Sequence, residues 1–476
     1  LLAACGSGTD DGVVEVAFIA DPGELDADGV RLDPAGQHVR AAISMGLVRI
    51  DPRGEVVPGV AERWIVTDDG ASYIFRINEF DLRDGTPLTA QAVRNALQQR
   101  LRQLRGTSLG LDLAKVRDIR AMTGRVVEIR LTSPMPDFLR LLAQPELGID
   151  IGDQSAALMA RGVGDDGVML APLPPQLRGL PEQPGWEDTV GEVRIRAVNA
   201  EQATEGFSQG DFDAVLGGRL ASLPLASTGP LSRGNVRLDA AIGLFGLDVL
   251  KPAGFLGVSA NREALAMALD RQGLMQPFNI GGWFPSTRIV PVELSSSGGL
   301  PVERWVIQSI EERRSEARQR VAQWRAASGQ EPRVRIYLPP GPGSDLLFDG
   351  LAEDFAAIGV STTRSETVGN ADLALRDRVA RYPSARWFLN QFNCELLRGP
   401  CSPEADELVT QSLRPEPGEG SATLLAEAEG ALIAREVYIP LGAPVRWSLV
   451  RSGLEGFSEN SWSRHPIYAL AGVEAW

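Results

Sequence analysis

The sequence of 476 residues predicts an α/β fold, and two stretches carry that expectation. A strand over 193–198 precedes a helix, and 210–216 follows as another strand. Further on, a strand over 334–338, a helix over 345–358 and a strand over 371–375 repeat the rhythm. A β-α-β succession predicts a parallel pair of strands with the helix packed across it, hence an α/β layer. At one domain per ~150 residues, the length suits about two or three domains. The apolar fraction of 43% beside 23% charged residues excludes disorder of the chain as a whole.

Each element has its own local reason. Residues 13–20 read as a short apolar strand ended by Asp21-Pro22-Gly23. A helical stretch over 36–45 leads to a second strand over 46–50. Asp51-Pro52-Arg53-Gly54 is then a tight turn, because proline fixes φ and glycine accepts a positive one. Residues 64–77 form a hairpin with Asp69-Gly70 at its bend and apolar residues along both arms. Thr89 is an N-cap for the next helix, where Val93, Leu97 and Leu101 at a spacing of four make one buried stripe. The second region begins near Gly191, and a third runs from about 250 to 445. The third holds a helix over 261–270, a long charged helix over 302–327, and the second β-α-β unit. No internal repeat is evident.

Composition narrows the chemistry. Asp and Glu number 62 against 47 Lys and Arg, a formal charge of -15, so the surface repels phosphate backbones and no nucleic-acid partner is expected. With His38 and His465 the only histidines and three cysteines in all, there is little material for a zinc or haem site, and no metal or cofactor is expected. The run Leu2-Ala3-Ala4-Cys5 closes an apolar stretch with small residues, as signal peptidases require, and resembles a bacterial lipobox. The resemblance implies cleavage before Cys5 and a diacylglycerol on its sulfur, which would anchor the protein to a membrane with residues up to 12 as a flexible tether. No later stretch approaches the ~20 apolar residues of a membrane span. Export makes the medium oxidising, so Cys394 and Cys401, separated by a short loop, read as a disulfide, with two free thiols as the alternative.

Six segments stand in order along the chain: Val57-Pro58-Gly59-Val60-Ala61-Glu62-Arg63-Trp64, Asp84-Gly85-Thr86-Pro87-Leu88-Thr89-Ala90, Gly210-Asp211-Phe212-Asp213, Ala264-Leu265 to Asp270-Arg271, Tyr438-Ile439-Pro440-Leu441 and Leu454-Glu455-Gly456-Phe457. Together and in register they resemble the extracellular solute-binding proteins of peptide, nickel and related ABC importers, family 5. The resemblance implies a two-lobed, type II periplasmic-binding-protein clamshell with an extra subdomain on its first lobe. By that analogy, lobe I takes residues 13–245 plus 447–476, with the inserted subdomain over 46–185, and lobe II takes 246–446. The implied partners are a peptide or other small solute and an ABC permease with its ATPase. The implied location is the periplasm or cell envelope, and the protein is expected to be a monomer and not an enzyme.

The resemblance also frames the ligand question. Peptide-binding relatives place an Asp just before a Tyr to hold the peptide ammonium, with a Trp earlier in the run. Here Arg381 stands in the Asp position before Tyr382, and Arg378 stands in the Trp position. A guanidinium repels an ammonium and pairs bidentately with a carboxylate or phosphate. The other reading is that Arg381 pairs with a neighbouring acid such as Asp377 and meets no ligand. Trp283, Phe284 and His38 are weaker candidates for cleft walls, with core or surface roles as alternatives. Gly106-Thr107-Ser108-Leu109-Gly110 matches the nucleophile-elbow pattern of serine hydrolases, but an Arg-rich helix precedes it where a strand is needed. Gly341-Pro342-Gly343-Ser344 lacks the third glycine and the Lys of phosphate loops, and Pro342 removes an amide donor. The basic run from Arg313 to Arg325 alternates with glutamates and reads as a solvated helix face. The expected function is capture and delivery of a peptide or small, anionic solute; the alternatives are a clamshell acting as sensor or scaffold, and a lipoprotein hydrolase using Ser108.

Overall fold

A computed structural model describes residues 12–79, 85–149, 157–164, 167–226, 235–295, 303–414 and 420–474. Cys5 and the tether lie outside the described residues. Two large sheets organise the molecule. The seven-stranded one runs in the order Val236–Asp239, Arg446–Val450, Ala214–Arg219, Val13–Ile19, Glu192–Val198, Gly167–Pro172 and Leu158–Gly164. The first β-α-β unit differs from the expected pair: its strands run parallel but flank Val13–Ile19, with Val16 opposite Ile195 and Ala17 opposite Val215. Val16, Ala17 and Phe18 are all buried, and a strand apolar on both faces is stable only where both faces are covered, at the sheet's centre.

The five-stranded sheet runs Ser361–Arg364, Arg333–Tyr337, Leu373–Val379, Gly243–Val249 and Tyr438–Gly442. Its parallel pair is the expected one, Ile336 opposite Leu373. The edge strand Ser361–Arg364 was not anticipated, because a short polar edge has no apolar alternation to betray it. The charged helix begins at Ile310 rather than 302, where Ser309 and Glu312 form a reciprocal capping box: the Ser309 hydroxyl accepts from the Glu312 N–H, and the Glu312 carboxylate accepts from the Ser309 N–H at 2.8 Å.

A smaller four-stranded antiparallel sheet holds the expected hairpin, Ala61–Val66 with Ser72–Ile77, followed by Val126–Leu131 and Val116–Met122. Helix Ala90–Gln103 lays Val93 and Leu97 against it, and Thr89 caps that helix by accepting from the Ala92 N–H at 3.1 Å. The largest core joins this sheet to Tyr382, Trp387, Phe388 and Leu389, so the small subdomain is seated against the chain that follows the five-stranded sheet. Among the described residues the chain passes between the two large sheets from Asp239 to Gly243 and from Gly442 to Arg446. Cys394 and Cys401 are joined by a disulfide. No helix among the described residues is long and apolar enough to cross a membrane.

Candidate ligand-binding site

A cavity of about 280 Å³ lies between the two large sheets, with walls from both. Strand Ala214–Arg219 delivers Arg219 to it through an irregularity. Pairing with Arg446–Val450 shifts register between Val215 and Gly218, and such a bulge re-aims the side chains beyond it. Gly217 has φ +81°, and any Cβ there would collide with the Phe18 ring, so both the backbone and the space demand glycine. From the other side, strand Leu373–Val379 ends in the cavity wall. Alternation puts Arg376 and Arg378 on one face and Asp377 on the other. Arg376 is anchored to Asp248 at 2.8 Å and lies over the Phe392 ring, whereas Asp377 is taken by Arg446 at 2.6 Å.

The cavity wall carries five arginines, Arg219, Arg378, Arg381, Arg446 and Arg464, against two aspartates, Asp33 and Asp377. Because Asp377 is already committed to Arg446, the balance left for a ligand is cationic. Among the described residues, Arg378 makes only a hydrogen bond to the Gln391 side chain, at 3.2 Å. Crowding by the cleft walls, then repulsion from Arg398, Arg381 and Arg376, pushes its guanidinium down to about 9. An anion placed among these groups would relieve that repulsion.

Arg381 is held differently. Its carboxylate partner is Asp112 at 3.6 Å, not Asp377, and it also donates to the Ser108 hydroxyl at 3.2 Å. Asp112 is fully buried at the end of helix Ser108–Asp112. It accepts from Asn390 Nδ2 at 2.8 Å and from the Tyr382 hydroxyl at 3.3 Å. Burial pushes its carboxyl up to about 6, against the pull of Arg381, Asn390 and Arg386. Ser108 follows the N-cap Thr107 on a short helix preceded by helix Ala90–Gln103, so no strand-to-helix elbow forms around it.

Of the six residues singled out from the sequence, Arg378, Arg381 and His38 line the cavity. His38 is buried and pushed down to about 3 by desolvation and then Arg464, and its Nδ1 lies 2.6 Å from the Pro34 carbonyl. It is therefore a neutral ring with its proton on Nδ1, and Nε2 faces the His465 N–H at 3.4 Å. The other three lie outside this cavity. Tyr382 has no exposed surface, because its ring fills the core behind Arg381 to reach Asp112. Trp283 and Phe284 line a separate apolar groove beside Ala443, to whose carbonyl Trp283 Nε1 donates at 2.9 Å. The sequence reading missed Arg219, Arg446 and Arg464, which come from distant segments and carry no shared motif.

Comparison with known proteins agrees with this architecture. A family model described as bacterial extracellular solute-binding proteins, family 5 middle, matches residues 55–395. The probable deoxycholate-binding periplasmic protein YgiS of Escherichia coli (strain K12) is 31% identical over 146 residues, which is 27% of this chain and 27% of that protein. The crystal structure of Haemophilus influenzae OppA in complex with RPPGFSPFR superposes with a TM-score of 0.81 at 18% identity, covering 97% of this chain and 98% of that one. The Escherichia coli murein tripeptide binding protein MppA superposes with a TM-score of 0.77 at 18% identity, over 95% and 97% of the two chains. Likeness at that identity establishes the two-lobed fold.

Proposed function

The chain belongs to the bacterial extracellular solute-binding proteins of family 5, and from that premise we propose that it is the cargo-binding component of an ABC importer. It captures a peptide or other small solute bearing an anionic group between its lobes and hands it unchanged to the permease. In this reading the seven-stranded sheet belongs to lobe I and the five-stranded sheet to lobe II, so the lobe boundaries expected at 245/246 and 446/447 move to the two passages, Asp239 to Gly243 and Gly442 to Arg446, which are the hinge. Work is done on the outer side of the cytoplasmic membrane, with a lipid on Cys5 as the tether.

One observation carries the charge of the cargo. On a molecule with a formal charge of -15, the walls between the lobes gather five arginines against two aspartates, one of which is already paired. An anion touching Arg219 on one sheet and Arg378 on the other gains contacts only when the lobes are together. Binding then shifts the hinge equilibrium towards the closed form, which is the signal a permease reads. Arg381, standing where relatives carry an ammonium-binding Asp, argues against anchoring by a peptide N-terminus.

Mass spectrometry of small molecules released from purified, denatured protein tests the reading directly. The expected cargo is negatively charged at neutral pH and is recovered chemically unchanged after rebinding. A cationic cargo, or one altered by the protein, would overturn it.

A further inference from the structure

The cavity between the lobes adjoins a second, smaller pocket of about 60 Å³, which shares the walls Gln37, His38, Arg381, Trp462 and Arg464 with it. Its inner wall is made by Arg49, on strand Val48–Ile50, and by Ser44. Arg49 is 9% exposed and its guanidinium carbon lies over the Tyr468 ring, 4.3 Å from the centroid. Among the described residues its Nε and Nη2 are buried without a hydrogen-bond partner, and the Ser44 hydroxyl is likewise buried and unpartnered. Among the described residues Arg49 has no carboxylate partner, its charged neighbours being Tyr468 and Arg178, whereas Arg464 donates a long hydrogen bond, 3.4 Å, to the Gln144 side chain and feels the buried Glu146 carboxylate.

A planar cation stripped of water and given no carboxylate is costly, and proteins supply a partner for it or receive one from a ligand. The Tyr468 ring holds the guanidinium in place but leaves its edge N–H groups unsatisfied, and that edge is the part that pairs bidentately with a carboxylate. The pocket has room for a carboxylate group or a few waters and no more.

We propose that this inner pocket is a second acidic-group subsite, so that the cargo is a small solute with two anionic groups. One is held at Arg219 and Arg378 in the outer cavity, and the other at Arg49, Ser44 and Arg464 within. The proposal rests on the reading of the outer cavity as the cargo site, and it adds the chemical class of that cargo.

Calorimetric titration of the full chain with acid and amide pairs tests it: Ala-Glu against Ala-Gln, and glutarate against its monoamide. The diacid of at least one pair is expected to bind roughly tenfold to a hundredfold tighter than its amide, the scale of one charge-assisted hydrogen-bond pair. Arg49→Met should reduce the diacid to the affinity of the amide and leave the amide unchanged. Ser44→Ala should give a smaller loss of the same discrimination, in a variant whose folding is not at risk from a strand substitution. Equal affinities within every pair, a preference that survives Arg49→Met, or no diacid binding at all would overturn the subsite. If diacid and amide bind alike and Arg378→Met weakens both, the subsite fails while the outer site stands. If no acid in the panel closes the lobes in small-angle scattering and the recovered cargo is cationic, the outer site fails too.

Discussion

Arg381 and Arg49 both line the inner pocket and live under opposite conditions. Arg381 is satisfied before any ligand arrives: Asp112 lies at 3.6 Å, the Ser108 hydroxyl at 3.2 Å, and Tyr382 and Asn390 brace the carboxylate from behind. Arg49 has an aromatic face and no acid. The first arrangement ties helix Ser108–Asp112 to the segment that follows strand Leu373–Val379 and spends the guanidinium on structure. The second leaves a buried cation whose cost is recovered only when something anionic enters. Position in a cavity wall therefore says little about ligand contact until the partners of each charge have been counted.

Substitutions should separate the two with opposite signs. The largest effect is expected from Asp112→Ala, which orphans the buried Tyr382 hydroxyl and Asn390 amide and leaves Arg381 unpaired; chemical denaturation should show a loss of about 3–5 kcal/mol, the scale for breaking a buried pair. Arg49→Met should instead leave the empty protein as stable or raise it by about 1 kcal/mol, since an unpaired buried charge gives way to an apolar side chain of similar length. A clear destabilisation by Arg49→Met would erase the contrast. Arg378→Met should cost the cargo roughly tenfold in affinity with little change in unfolding, because the Arg378 side chain faces the cavity and, among the described residues, has one hydrogen bond to lose, to the uncharged Gln391 amide.

A separate effect is a pH dependence. The Asp112 carboxyl is pushed up from its ordinary value of 3.8 to about 6 by burial. Between those values the folded state binds more protons than the unfolded one, so this group's contribution to stability is full below 3.8 and declines as pH rises through about 6. Asp112→Asn, which keeps an oxygen to accept from Asn390 and Tyr382, should flatten that segment of the stability-pH profile. An unchanged profile would show that the carboxylate is not under the strain of burial. His38, pushed down to about 3 by its desolvation and then by Arg464, stays neutral when folded while the unfolded chain titrates near 6.5, so its contribution to stability is full above 6.5 and is lost as pH falls below 6.5 towards 3.

Much of the architecture was legible because it rests on local rules. The hairpin bend at Asp69-Gly70, the Thr89 cap and the stripe of Val93 and Leu97 are short-range signals, and all three are present in the fold. The insertion of Val13–Ile19 between the strands of the first β-α-β unit was not legible, since strand order is decided by contacts nearly two hundred positions apart. The site was half legible. Arg378 and Arg381 stood out against the family pattern, and both reach the cavity. Tyr382, adjacent to Arg381, turns into the core, and Trp283 with Phe284 belongs to another groove. Arg49 had one signal that could have been read, a lone charge in the apolar run Leu47-Val48-Arg49-Ile50.

The amino-acid order alone determined the elements, the β-α-β units and the family likeness, because capping, turn chemistry and apolar periodicity act between residues a few positions apart. Which arginines remain free for a ligand was decided only by the tertiary structure. Asp112 reaches Arg381, and Asp377 reaches Arg446, across long stretches of chain, and electrostatic pairing depends on distance and burial in space, which no linear spacing encodes.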